Sequence, residues 1–289
     1  MVLFIKQSKY FLLVISLLFA LNARAQTIEQ VVDFANKQFE QRNYAIASKE
    51  YNRAFYFGYE PRDEISMRIA QCYANTGQHQ MAGEFYDRTY RFAVTDSMRN
   101  EAVLGKAFSL IIQKNFMLAI NELFNISDST THEQKIHYHF LKGISHYGIE
   151  QDTLSWHEFS EVAQLVQLNK PEFEALAAEF ENVFHFEKQF NPRRAYIYSG
   201  IIPGSGQFSA EAYREGINSF LLLGTLYALS VRLMFVYSFW DAAITFFPWI
   251  QRYYLGGMDR ARELAHKKIE EKRAESYQTI IELTRPNNF

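Results

Sequence analysis

The chain has 289 residues, enough for one large or two modest domains with a sizeable core. Its 30 basic and 32 acidic side chains leave a formal net charge of −2, which gives no field strong enough to imply nucleic acid or another polyanion as a partner. A single cysteine, Cys72, excludes an intrachain disulfide and reads as a small buried apolar residue, while only six prolines beside 16% aromatics favour a helix-rich chain.

The first 25 residues read as a signal peptide. Lys6 and Lys9 supply a basic start, Phe11–Leu21 an apolar core shorter than the ~20 residues of a stable span, and Ala23-Arg24-Ala25 a small-x-small cleavage site. Mature Gln26 would be the new terminus, with an uncleaved anchor as the alternative. No cysteine follows the cleavage site, so a lipoprotein is not expected there.

A repeat follows. Ala47, Ala82, Ala119 and Ser155 recur at intervals of 35, 37 and 36, each with a large residue four later: Tyr51, Tyr86, Leu123 and Phe159. Ala54, Thr89, Ile126 and Val162 come three further on, and Ala35, Ala70, Ala107 and Gly143 stand twelve before. Two helices pack closely where a small side chain lets the backbones approach and a bulky neighbour fills the groove. Between them lie Gln41–Tyr44, Thr76–His79 and Gln113–Phe116, with Asn or Gly where a helix must end. The pattern resembles the tetratricopeptide repeat, a pair of antiparallel helices, over residues 26–170. The second copy, with Tyr73, Gly77, Ala82 and Tyr86, is the most faithful; the fourth departs most, carrying Ser155 for alanine.

Residues 171–190 have apolar side chains at helical spacing, Phe173, Leu176, Phe180, Val183 and Phe184 among them, and read as a helix capping the repeats. Asn191–Arg194 marks the expected boundary to a hydrophobic module over 191–257. Within it, Pro203-Gly204-Ser205-Gly206-Gln207 lacks the lysine and hydroxyl of a phosphate loop and the glycine spacing of a nucleophile elbow. It reads as a tight turn reversing an apolar chain. Pro203, Gly204, Gly206, Gln207, Phe208 and Gly216 resemble the PG-x-GQ signature of small bacterial membrane modules of unknown function; the Tyr-Asn-Gly stretch usual there is replaced by Ser209–Tyr213.

Gly216–Trp240 has the length of a membrane span, with Arg232 inside it and Tyr227, Tyr237 and Trp240 as interfacial anchors; a buried helical hairpin is the alternative. Ala242–Ile250, interrupted by Pro248, suits a half-span or interfacial helix. Residues 258–289 read as a separate charged helix with paired basic and acidic positions. One crossing would put that helix on the far side of the membrane, and a hairpin would return it.

Chemistry is sparse. His137 and His139, two apart, point to different helix faces and cannot chelate one ion together, and His146 stands at an aromatic position of the repeat. Glu158 and Glu161 are expected on helix surfaces. No metal, cofactor or catalytic constellation is expected, and the chain is not read as an enzyme.

The expectation is an all-α protein: a tetratricopeptide-like solenoid, a hydrophobic helical hairpin and a long C-terminal helix. It would be an exported, membrane-associated scaffold whose repeats lie in the periplasm and hold another envelope protein or peptide segment. Asn36, Gln71, Asn75 and Lys106 are the partner-binding candidates by repeat register. Two alternatives stay open: an assembly factor or enzyme subunit acting through the PG-x-GQ module, and a wholly soluble periplasmic adaptor.

Overall fold

A computed structural model describes residues 26–286. The expected signal segment lies outside the described residues. Among the described residues there is no strand; the fold is all-α. The chain divides into two compact units, one ending at Glu158 and the other starting at Phe159.

The first unit is a repeat-like array: α1 (Ile28–Glu40), α2 (Tyr44–Tyr56), α3 (Arg62–Asn75), α4 (His79–Phe92), α5 (Asp96–Ile112), α6 (Phe116–Leu123) and α7 (His132–Gly148), followed by the start of α8 (Asp152–Leu165). From α1 to α7 each helix packs on the next, and α5 also touches α3 and α7, the next-but-one contacts that stacked helix pairs require. The small residues do what their spacing predicts. Ala35, Ala47, Ala70, Ala82, Ala107, Ala119 and Ser155 are fully buried, and Tyr51, Tyr86 and Leu123 fill the space beside them.

The turns repeat in geometry as well as in sequence. Arg42, Gly77, Lys114 and Glu150 all have positive φ, 61°, 76°, 60° and 61°, each five residues before its small residue. In each turn the amide after the left-handed residue donates back into the preceding helix: Asn43 to Gln38, Gln78 to Tyr73, Asn115 to Leu110 and Gln151 to His146, at 2.8–2.9 Å. That is the Schellman closure of a helix C-terminus. The fourth copy, the most divergent in sequence, thus has the same turn as the others. Its Ser155 Oγ donates to the Gly143 carbonyl at 3.0 Å, a polar substitute at an alanine position. His146 is buried against Gln151, its Nδ1 2.8 Å from Oε1, in keeping with a packing role.

The second unit, from within α8 onward, is organised differently. Helices α9 (Lys170–Gln189), α10 (Pro192–Ile201), α11 (Ser205–Ser209) and α12 (Tyr213–Val236) all pack on one 46-residue helix, α13 (Phe239–Thr284). Asn169 caps α9 with a reciprocal bond to Glu172, and Asn191 caps α10 ahead of Pro192. Helix α9 buries Leu176, Phe180 and Val183 as its spacing predicts, but Phe184 is exposed. It also runs along α13, where buried Arg273 donates to Glu187 at 2.8 Å.

Two boundaries differ from the sequence expectation. The apolar helix stops at Val236 rather than Trp240, because Tyr237 leaves helical geometry and Ser238 starts a new helix, its Oγ accepting from the Asp241 amide at 3.2 Å. And no break separates the hydrophobic stretch from the charged one: α13 runs through Pro248 and through Gly256-Gly257. The glycines stay helical because neighbouring helices grip this stretch at every turn: Tyr254 donates to the Gly200 carbonyl, Gly257 accepts from Gln207, and Arg260 holds Glu215.

Candidate functional site

The Gly204 turn lies at the centre of the second unit. Gly204 has φ +92°, a left-handed conformation that admits glycine, and a Cβ there would overlap the carbonyl oxygen of Gly216 on α12. A Cβ on Gly206 would overlap the Ala195 carbonyl oxygen on α10. The two glycines therefore let three helix segments meet backbone to backbone. Pro203 leads into the turn and is half-buried.

Gln207, wholly buried, ties those segments together. Its Oε1 accepts from Ser199 Oγ at 2.7 Å; its Nε2 donates to Ser219 Oγ at 3.2 Å and to the Gly257 carbonyl at 2.9 Å. Ser199 Oγ in turn accepts from the Gly206 amide at 3.0 Å. One amide side chain thus joins α10, α11, α12 and α13 with both its amide hydrogens and its carbonyl engaged, the condition for burying such a group at no net loss. Nothing in this arrangement presents a nucleophile or a row of free amides. The turn is a structural clasp.

Around the clasp, Ala195, Ala210, Ala261 and Ala265 form a small core, and ion pairs close the edge: Arg260 grips Glu215 with two bonds of 2.8 and 3.0 Å, and Lys268 pairs with Glu211. Beyond the clasp the character changes. Helix α12 is the one helix among the described residues long and apolar enough to cross a membrane, and its most apolar 18 residues are only 6% buried. A hairpin helix serving as a soluble core would be mostly buried. On both sides of the bend, Phe235, Val236, Tyr237, Phe239 and Trp240 are exposed, with Phe235 at 80% and Trp240 at 70%. The first half of α13 continues the surface with Ile244, Phe247 and Trp249.

The four partner-binding candidates are placed in the first unit with differing freedom. Lys106 is held between Asp87 and Glu122 at 2.7 and 2.8 Å. Burial would depress its pKa, but the hydrogen bonds and charges of those carboxylates outweigh it and raise the value. Asn36 accepts from the Tyr51 hydroxyl at 2.6 Å and so supports the α1–α2 contact. Gln71 and Asn75 lie one turn apart on α3, Asn75 Nδ2 donating to the Gln71 carbonyl at 2.8 Å, and Asn75 is exposed.

Glu158 departs from its expected surface position. It is buried, 4% exposed, with His139 Nδ1 at 2.7 Å and Lys142 Nζ at 2.9 Å. Burial works against its charge, but the hydrogen bonds from His139 and Lys142 prevail and hold its carboxyl below the usual value. The i,i+3 pair His139 and Lys142 on one helix face was the available signal. Cys72 is fully buried on α3, and burial pushes its thiol up to about 12. Among the described residues no group of three or more His, Cys, Asp or Glu side chains could hold a metal ion. No protein-family model matches the chain, and no curated protein matches it.

Proposed function

We propose that this protein is an exported, membrane-anchored scaffold of the bacterial cell envelope, in which tetratricopeptide-type repeats on the periplasmic side hold a segment of another envelope protein. The observation that carries the reading is the contrast within one chain between a closed repeat core and a 24-residue apolar helix left almost wholly exposed. The recurrence of the same left-handed turn in all four copies supports the tetratricopeptide assignment. Gln71 and Asn75 are the preferred partner contacts, since their side-chain bonds stay within α3, whereas Asn36 and Lys106 are tied to neighbouring helices through Tyr51, Asp87 and Glu122. Anchoring would raise the effective concentration of the repeats near a membrane-bound partner.

The test combines alkaline carbonate extraction of the full-length protein from cells with a photo-crosslinking side chain at Asn75. Retention in the membrane pellet and one discrete adduct are expected. Release into the supernatant would remove the anchor from the proposal, and the absence of any adduct at Asn75 and Gln71 would remove the binding face.

A further inference from the structure

Resting on the membrane reading above, we infer that α12 and the first half of α13 cross the lipid bilayer together as a hairpin. The segments before and after it, residues 191–212 and 258–284, then stand on the same side. The argument begins at the clasp. Gln207, ahead of α12, is bonded to Gly257, near the middle of α13; Glu215 at the start of α12 is bonded to Arg260, and Glu211 to Lys268. A single crossing by α12 would place each member of these pairs on opposite faces of a hydrocarbon layer. The contacts and one crossing are incompatible.

The dimensions agree. From the level of the clasp to the bend, Ser219–Val236 is 18 residues, and from the bend back to the clasp Phe239–Gly256 is another 18. Each rises about 27 Å, close to the roughly 30 Å hydrocarbon core; only α12 is apolar enough to cross by itself, and the second arm would cross packed along it. Charged residues within these stretches sit near the two ends. Arg232 is four residues from the end of α12, Asp241 is in the first turn of α13, and Arg252 is four residues from Gly256. Both arginines are exposed and close enough to a bilayer surface to extend their charged ends into it. Aromatic rings that could meet an interface stand at the bend, Tyr237, Phe239 and Trp240, and at Tyr253, three residues from Gly256.

The short turn belongs to the same design. Tyr254 and Met258 of α13 lie beside Gly200, so α10 rises from its arginines, Arg193 and Arg194, towards the bilayer level. It ends in exposed Ile201 and Ile202, and α11 then descends to Glu211. The Pro203–Gly206 reversal is the tip of a second, shallow hairpin that touches the membrane surface without entering far.

Single cysteines at Arg193, Tyr237 and Gln278, all exposed, test this in the full chain. Native Cys72 is fully buried and serves as a silent background. Sealed vesicles of opposite orientation, prepared from expressing cells, are treated with a membrane-impermeant maleimide after carbonate extraction has been scored. R193C and Q278C are expected to label from one face and Y237C from the other only. Labelling of R193C and Q278C from opposite faces would overturn the hairpin while leaving membrane integration intact. Labelling of all three from one face, or protection of Y237C from both, would overturn the double crossing in favour of a shallow loop. Release by carbonate would instead remove the membrane reading on which the inference rests.

Discussion

The repeats and the clasp region of the second unit place their large apolar side chains oppositely. In the repeats, Tyr51, Tyr86, Leu123 and Ile69 point inward, and small residues let the helices close on them. The second unit also buries large side chains along α8 and α9, Phe159, Leu176, Phe180 and Val183, but round the clasp the inward-facing residues are alanines beside a hydrogen-bonded glutamine, while Phe235, Trp240, Ile244 and Phe247 point outward. Burial of large apolar side chains holds the first unit together in water. The clasp region of the second unit buries few large side chains and relies on close backbone approach, a saturated polar network and ion pairs. Such contacts would suffice if lipid covers the outer face, as proposed, because association in a bilayer comes from tight packing and hydrogen bonds. The difference teaches that small residues and a polar clasp can fix where helices cross while large apolar side chains stay on the surface.

The largest expected effect lies in the clasp. Gly206→Ala brings a methyl into the Ala195 carbonyl and should cost about 3 kcal/mol or more, read as loss of protease resistance of the second unit in detergent. Gly224→Ala is the matched control. A Cβ there meets nothing within 4 Å, so the substitution should be neutral or gain up to about 1 kcal/mol of helix propensity. Equal damage from both would end the contrast between packed and exposed glycines.

Gln207→Met comes next. It keeps the volume but leaves Ser199, Ser219 and the Gly257 carbonyl without their partner, at about 2–3 kcal/mol in the same assay. The repeat unit should be unaffected. If its melting moves as well, the two units do not derive their stability separately.

On the other side of the comparison, Glu158→Gln should destabilise the repeats by about 2 kcal/mol at neutral pH. The sign with pH follows from the depressed carboxyl. Its stabilisation is fully present above the unfolded value, about 4.3 for a glutamate, and is lost as pH falls through the lower folded value. Melts of wild type and variant should therefore converge in acid; a constant gap down to low pH would show that the ion pairs are not its source. Smallest of all, Asn75→Ala on its exposed helix face should change melting by less than about 0.5 kcal/mol. If the proposed function holds, it should nonetheless weaken partner binding, the one case where stability and function separate.

Much of the repeat was legible because its signal is local. A small residue every 35–37 positions, with its bulky companion and its turn, appears in the string before any helix is placed. The fourth copy looked weakest only because Ser155 and Glu150 are unusual letters; both keep the geometry, serine by donating to Gly143 and glutamate by accepting a left-handed φ. The turn glycines were legible too, since a proline-glycine pair opening an apolar run has few other uses. The end of α12 was misplaced by four residues, although Ser238 and Asp241 stand three apart as a helix start.

The sequence by itself determined the all-α class, the repeat period, the tight turn and the presence of one long apolar helix, because each depends on residues near one another in the chain. Only the tertiary structure decided that Gln207 reaches Gly257, 50 residues away, that α13 runs unbroken past two glycines and a proline, and that Glu158 is buried between His139 and Lys142. Those outcomes depend on which surfaces meet. A glutamine, a pair of glycines and a glutamate carry no mark of a partner that folding brings from elsewhere, and their roles exist only once the helices have packed.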